Sequence, residues 1–364
     1  MGSRREIRST YLEWAKLRSK APHSLTGSDV LHYPFADLHA RLEDLSLDPP
    51  GGYGYAPLLQ RISSRLGVSP ENVVHAQGTS MANHLAMAAL LESGDEVLIE
   101  EPAYEPLLMT AQYLGAKIRR FPRSFEAGFQ LDPREVERAI TPRTRLIVLT
   151  NLHNPTGVRA PDSALKIVGE IARSLGAHVL VDEVYLEACF DAPWKSSFHL
   201  GPNFIATSSL TKAYGLTALR CGWILAAPAL AERMWRLNDL FGVVSPHPAE
   251  LLSVIALDQL PQIAARAKKL LDANRALLKT FLDSRQDLLA IRPEAGAIVF
   301  PLLSSGHTEA FIQLLREKYE TGVVPGRFFE CPDHFRMGVG GATEAVREAL
   351  SRVSAALDEI GTRH

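Results

Sequence analysis

Cysteine is scarce in this chain. Its 364 residues hold three, Cys189, Cys221 and Cys331, and none stands in a CxxC or other metal-ligand spacing. That pattern excludes a disulfide-stapled secreted scaffold and gives no reason to expect a metal site. It fits reduced core thiols in a cytoplasmic protein. Long apolar runs are also missing. No stretch approaches the roughly 20 residues that span a bilayer, so no membrane association is expected. Nor is one sign of charge in excess: 39 Lys and Arg face 41 Asp and Glu, a net charge of −2, with no long basic run. Nucleic acid is therefore not an expected partner. The opening "MGSRREIRSTYLEWAK" carries charge but no apolar core behind it, unlike a signal peptide. There is no internal repeat and no low-complexity linker.

What remains is an ordinary globular composition, 46% hydrophobic and 22% charged, in a chain long enough for two domains. "APLLQRISSRLG" reads as a helix ended by Gly67. "TSMANHLAMAALLESG" reads as a second helix, capped by Thr79 or Ser80 and closed by Gly94. Short β-branched runs then alternate with helical stretches: "DEVLIEE", "AKIRRF", "RLIVLTN", "AHVLVDEV", "FIATSS" and "GWILAAP". This alternation predicts an α/β fold with a buried, mostly parallel sheet. Residues 226–285 read as almost wholly helical. From about 287, short strands ("AGAIVFPLL", "HFRMGVG") and helices at 308–320 and 343–360 predict a smaller α/β appendage.

Ligands of open α/β sheets bind beyond the carboxyl ends of the strands. Those ends carry Asn154 in "NLHNPTGV", Asp182 and Tyr185 in "DEVY", Ser209 and Lys212 in "SSLTK", and Tyr104 in "EPAY". "QGTS" adds Gly78 and the open N–H groups of a helix start, an anion site in kind. Each residue has a plain alternative. "NPTG" can be a simple turn, Asp182 a helix cap, the tyrosines half-buried aromatics, and Lys212 a solvated lysine. A rim that gathers all of them is hard to explain by packing alone. "GYGYAP" is not a dinucleotide loop, because it lacks a third glycine and no strand is expected before it.

The set resembles the class I/II aminotransferases, pyridoxal-phosphate enzymes of fold type I. The matching stretches run in the family's order from residue 77 to 341: "QGTS", "EPAY", "NLHNPTG", "VDEVYLE", "SLTKAYGLTALRCGW", "VVPGRFF" and "HFRMGVGG". The spacings agree as well, with 28 residues from Asn154 to Asp182 and eight from Lys212 to Arg220. The resemblance implies an N-terminal arm and part of a small domain over 1–45, a large cofactor-binding domain over 46–270, and a C-terminal small domain over 271–364. It implies pyridoxal 5'-phosphate as cofactor, bound covalently through its aldehyde by Lys212. Gly78, Thr79, Ser80, Ser209 and Arg220 would cradle the phosphate. Asp182 would keep the ring nitrogen protonated, Asn154 and Tyr185 would bond the ring's phenolic oxygen, and Tyr104 would stack on the ring. Arg336 would clamp the substrate α-carboxylate, with Asn154 beside it. The implied reaction is ping-pong transfer of an amino group from an amino acid to a 2-oxo acid, with Lys212 moving the α-proton. A homodimer is implied too, with Tyr53 or Tyr55 reaching the partner's phosphate.

Dicarboxylate-specific relatives carry an extra basic residue for the second carboxylate. In one subgroup it stands four residues before a Ser-Asn-Pro-like turn; here the turn is "SPHP" and that position is Phe241. Another subgroup has a lysine beside the phosphate loop, and "QGTS" has none. The expected donor is therefore uncharged or aromatic. The alternatives are a carbon–sulfur β-lyase on the same fold and, more remotely, a non-catalytic ligand sensor.

Overall fold

A computed structural model describes residues 7–304 and 306–361. The first six residues of the charged N-terminal stretch lie outside them. A seven-stranded sheet organises the chain, in the order β2-β8-β7-β6-β5-β3-β4. Its strands are β2 (Val73–Gln77), β3 (Glu96–Glu101), β4 (Lys117–Pro122), β5 (Thr144–Thr150), β6 (His178–Asp182), β7 (Phe204–Ser209) and β8 (Cys221–Leu225). All neighbours are parallel except β8, which runs against both β7 and β2. The central strands are buried almost end to end, which is why their apolar residues run on instead of alternating. Edge strand β4 does alternate, and turns Lys117 and Arg119 to solvent. Sequence reading missed β2. Its run "VVHAQ" holds two polar residues, His75 and Gln77, and only its pairing with β8 marks it as a strand.

Helices cover both faces. They are α2 (Ala56–Leu66), α3 (Gly78–Leu90), α4 (Glu105–Tyr113), α5 (Pro133–Ala139), α6 (Asp162–Ser174), α7 (Pro228–Asn238) and α8 (His247–Asp258). In α2, Leu58, Ile62 and Leu66 recur every four residues and are buried. Gly67 ends it as expected, at φ 66°. Helix α3 departs from expectation at both ends. Its N-cap is Gln77, which makes no side-chain cap bond, and it stops at Leu90, short of Gly94. Thr79 does not cap because it lies inside the helix, one residue after Gly78, and its hydroxyl donates across the sheet rim to Ser209.

Most of the remaining elements pack around a separate apolar cluster. α9 (Leu260–Asp283) runs unbroken through position 270. With α10 (Thr308–Glu317) and α11 (Thr343–Gly361) it buries Leu278, Phe311, Leu315, Phe335 and Val353 around the N-terminal Leu25. Short strands stitch this region together. β1 (His23–Ser24) pairs in parallel with β12 (Thr321–Gly322), and β9 (Leu288–Leu289) pairs with β11 (Leu302–Leu303). β10 (Ile298–Val299) and β13 (Val324–Pro325) flank β14 (Phe335–Gly338). The expected strand "AGAIVFPLL" is thus two short pieces. Helix α1 (Thr10–Leu17) lies against α4. No helix among the described residues is long and apolar enough to cross a membrane.

Candidate active site

The reversal of β8 places its start on the same rim as the ends of its neighbours. Gln77 pairs with Cys221 and Ser209 with Gly222, so Gly78, Ser209 and Arg220 stand side by side. Glycine is required at two of these positions. Gly78 has φ 78°, and a Cβ there would overlap the Arg220 guanidinium; a Cβ on Gly222 would overlap the Gly78 backbone. Thr79 Oγ1 bonds Ser209 Oγ at 2.9 Å, which in turn bonds Thr211 Oγ1 at 2.9 Å. Among the described residues Arg220 reaches backbone carbonyls only, of Thr217 at 3.4 Å and Gln77 at 3.2 Å. Three hydroxyls, an uncapped helix start and a guanidinium without a carboxylate partner among the described residues form an anion cradle.

Asp182, at the end of β6, is buried and accepts from Asn83 Nδ2 at 2.7 Å and from the Val184 N–H at 3.1 Å. Asn83 Oδ1 accepts from Thr207 Oγ1 at 2.6 Å, so its amide has one orientation. Burial pushes the Asp182 carboxyl up to about 6, opposed by Asn83, the Val184 amide and Lys212. Lys212 Nζ donates to Ser28 Oγ at 3.2 Å. Tyr104 packs edge-on to Tyr11, with centroids 5.9 Å apart. Burial, with Tyr11, Tyr185 and Asp182 nearby, holds the Tyr104 phenol well above its usual range.

Asn154 is held by a chain of contacts. Its N–H donates to Thr150 Oγ1 at 2.9 Å, and Thr150 donates to buried Glu100, which is paired with buried Arg123 at 2.8 Å. Asn154 Oδ1 accepts from Arg336 Nη1 at 2.8 Å. Arg336 itself is only 1% exposed. Its Nη2 donates to Tyr11 Oη at 2.9 Å, its plane faces Phe329 at 5.0 Å, and its Nε has no partner. A buried guanidinium with no counter-anion among the described residues is expensive unless an anion arrives.

These groups surround one cavity of about 340 Å³. Thr79, Ser80, Tyr104, Asn154, Asp182, Tyr185, Ser209, Lys212 and Arg220 line it, and Arg336 stands just behind Asn154 and Tyr11. Tyr53 and Tyr55 do not line it. Tyr53 is exposed and donates to Asp239 at 3.0 Å, while Tyr55 packs edge-on to His247. Phe241 is an exposed side chain edge-on to His84. Sequence reading missed Tyr11, Ser28, Asn83 and Thr211. Asn83 and Thr211 had local signals, since Asn83 stands one helical turn after Thr79 on the same face of α3 and Thr211 belongs to the hydroxyl-rich approach to Lys212.

The family described as aminotransferase class I and II matches residues 25–353. This chain belongs to it. The class I and II aminotransferases use pyridoxal 5'-phosphate and act on amino acids and 2-oxo acids. Arginine–pyruvate transaminase AruH of Pseudomonas aeruginosa is 28% identical over 321 residues, 84% of this chain and 81% of that protein. Capreomycidine synthase of Streptomyces vinaceus is 28% identical over 367 residues, 96% of this chain and 93% of that protein. A solved pyridoxal-phosphate-dependent aminotransferase from Streptococcus suis superposes with a TM-score of 0.91 at 25% identity, covering 97% and 98% of the two chains. The residues present fit the aminotransferase cofactor. The cradle suits a phosphate, buried Asp182 faces the same cavity, and Arg336 Nε is buried with no hydrogen-bond partner among the described residues.

Proposed function

We propose that this aminotransferase moves an amino group between an amino acid whose side chain lacks a carboxylate and a 2-oxo acid. The observation that carries the reading is Arg336, a buried cation without a counter-anion among the described residues, beside the lysine-bearing cavity. Bound pyridoxal 5'-phosphate supplies the carbonyl that captures the amine and the ring that withdraws electrons from the substrate Cα. Thr79, Ser209, Thr211 and Arg220 hold its phosphate. Asp182 holds a proton on the ring nitrogen, because opposite charges favour each other's ionised forms. Asn83 fixes the carboxylate for that task. Asn154 Nδ2 and Tyr185 stand for the ring oxygen, and Tyr104 for the ring face. Arg336 takes the α-carboxylate and so sets the direction of the Cα–H bond. Lys212 Nζ, oriented through Ser28, would take up and move the substrate Cα proton.

Among the described residues Lys212, Arg220 and Arg336 are the cations at the cavity, and each has a role, which leaves none of them for a side-chain carboxylate. That supports the exclusion of aspartate argued from Phe241. An uncharged, aromatic or basic donor meets the same condition. The relative named arginine–pyruvate transaminase supports a basic donor, others are named aspartate aminotransferases, and these names favour amino transfer over a β-lyase. The enzyme would be a homodimer, in which exposed Tyr53 would exchange its hydrogen bond to Asp239 for a partner's phosphate, and cytoplasmic, in keeping with its buried free thiols Cys189 and Cys221. A half-reaction screen tests the reading. The aldehyde-loaded protein is mixed with each amino acid, and conversion of the cofactor to its amine form is followed by absorbance. Arg336→Lys should weaken every donor by roughly 2–4 kcal/mol in kcat/KM, since lysine lacks the planar fork. Conversion by no amino acid, or donors untouched by Arg336→Lys, would defeat it.

A further inference from the structure

Asp29 is a carboxylate on the cavity wall that none of the assigned roles uses. Its position is fixed by its neighbours. Ser28 holds Lys212 Nζ at 3.2 Å, the Val30 N–H donates to the Lys212 carbonyl at 2.9 Å, and the Leu31 N–H donates to the Gly340 carbonyl at 2.7 Å. Gly340 lacks the Cβ that would overlap the Asp29 carbonyl, so the segment lies flat on the chain that follows β14. Asp29 cannot withdraw from the cavity without pulling on the reactive lysine. Its carboxylate receives one long hydrogen bond, from Thr217 Oγ1 at 3.3 Å, and makes no ion pair among the described residues.

Charge balance makes this position informative. Arg220 is matched by the phosphate, Asp182 by the ring nitrogen, Arg336 by the substrate α-carboxylate, and Lys212 is engaged with the cofactor. Asp29 is the charge left over. Asp29 lines the same cavity as the phosphate cradle, and a cation brought by the substrate is attracted by such an unpaired carboxylate. The same cavity offers the half-buried indole of Trp14, from α1, and aromatic rings hold cations on their faces.

On the amino-transfer reading above, we infer that the donor's side chain ends in a cation, a guanidinium or an ammonium, and that Asp29 is the residue that selects it. The sequence-based expectation of an uncharged or aromatic donor rested on the lack of a second cation for a carboxylate. That lack excludes acidic side chains and says nothing against basic ones.

The experiment compares kcat/KM of the cofactor-loaded enzyme for L-arginine against L-citrulline and for L-lysine against L-norleucine, pairs of similar length that differ in charge. Wild type should prefer at least one cationic member by about 10- to 100-fold, the range of a charge-assisted contact. Asp29→Asn should bring that ratio close to one, and Asp29→Glu should restore part of it, which a merely structural role for the carboxylate would not do. Ratios near one in wild type, with neutral or aromatic donors converted well, would overturn this inference and leave the amino-transfer reading intact. A cationic preference that survives in Asp29→Asn would overturn the assignment to Asp29. Conversion by no amino acid would overturn both.

Discussion

Replacing Asn83 by leucine should make the stability of the cofactor-free protein depend on pH in a way the wild type's does not. Leucine keeps the volume but removes the amide that donates to Asp182 at 2.7 Å and accepts from Thr207 at 2.6 Å. A hydrogen bond to a charged acceptor contributes about 1.5–3 kcal/mol, and about 1.4 kcal/mol corresponds to one pH unit. Asp182 already titrates at about 6, above its ordinary value, because burial disfavours the charged form. Losing Asn83 should raise it by a further one to two units, to about 7–8. The sign follows from proton counts. A carboxyl whose folded pKa is raised binds more protons folded than unfolded, so its burden on stability appears as pH rises. Below pH 5 Asp182 is protonated in both proteins. The variant should then lose only about 1–2 kcal/mol, from the Thr207 hydroxyl left without its acceptor. Above pH 8 a further 1.5–3 kcal/mol, roughly, should be lost, with the change spread between pH 6 and 8. Urea unfolding of the stripped protein at pH 5 and pH 8.5 measures both limits. An equal loss at the two pH values would show that Asn83 does not act on the ionised Asp182.

Three further outcomes are expected. Borohydride should fix the cofactor to the wild-type chain but not to Lys212→Ala, and peptide mapping that finds the label on another lysine would refute the assignment. Gly78→Ala adds a side chain at φ 78° against the Arg220 guanidinium, so absorbance titration of the stripped protein should show cofactor affinity lowered by about tenfold or more. Equal affinity would mean that the cradle is not the phosphate site. Glu105→Ala should loosen α1, because Glu105 accepts from the Thr10 N–H at 3.1 Å, the Tyr11 N–H at 2.8 Å and the hydroxyls of Ser9 and Thr10. Limited proteolysis should then cut faster within residues 7–20, and an unchanged cutting rate would contradict the tether.

The rim was legible because each strand end is marked by its chemistry. Asn154 lies in a proline–glycine turn, Asp182 closes a β-branched run, and Lys212 follows a cluster of hydroxyls. Buried parallel strands write themselves as apolar runs, and six of the seven main strands were found that way. The seventh, β2, was not, because the side chains of His75 and Gln77 break the run and its identity lies in the partner strand. The cap of α3 was misread because the helix begins before the hydroxyl residues. Thr79 has the right side chain for a cap, but Gly78 already opens the helix behind Gln77. Tyr11 and Ser28 had no local mark at all. They become site residues only when the N-terminal segment folds across Lys212 and β14, and Asp29 comes with them.

That return of the N-terminal segment sets an order of assembly. The hydrogen bond from Arg336 to Tyr11 joins residues 325 apart in the chain, and the one to Asn154 joins residues 182 apart. On a ribosome, Tyr11 emerges first and waits for nearly the whole polypeptide before its partner exists. The sheet, with its phosphate cradle and Lys212, can form from residues 73–225 while the clamp for the α-carboxylate is still untranslated. Contacts of such long separation form late, since the entropy of closing the intervening loop comes before any gain from the contact. The nascent protein would thus hold its cofactor before it can hold a substrate, and an incomplete chain would be a carrier of the cofactor without being a catalyst.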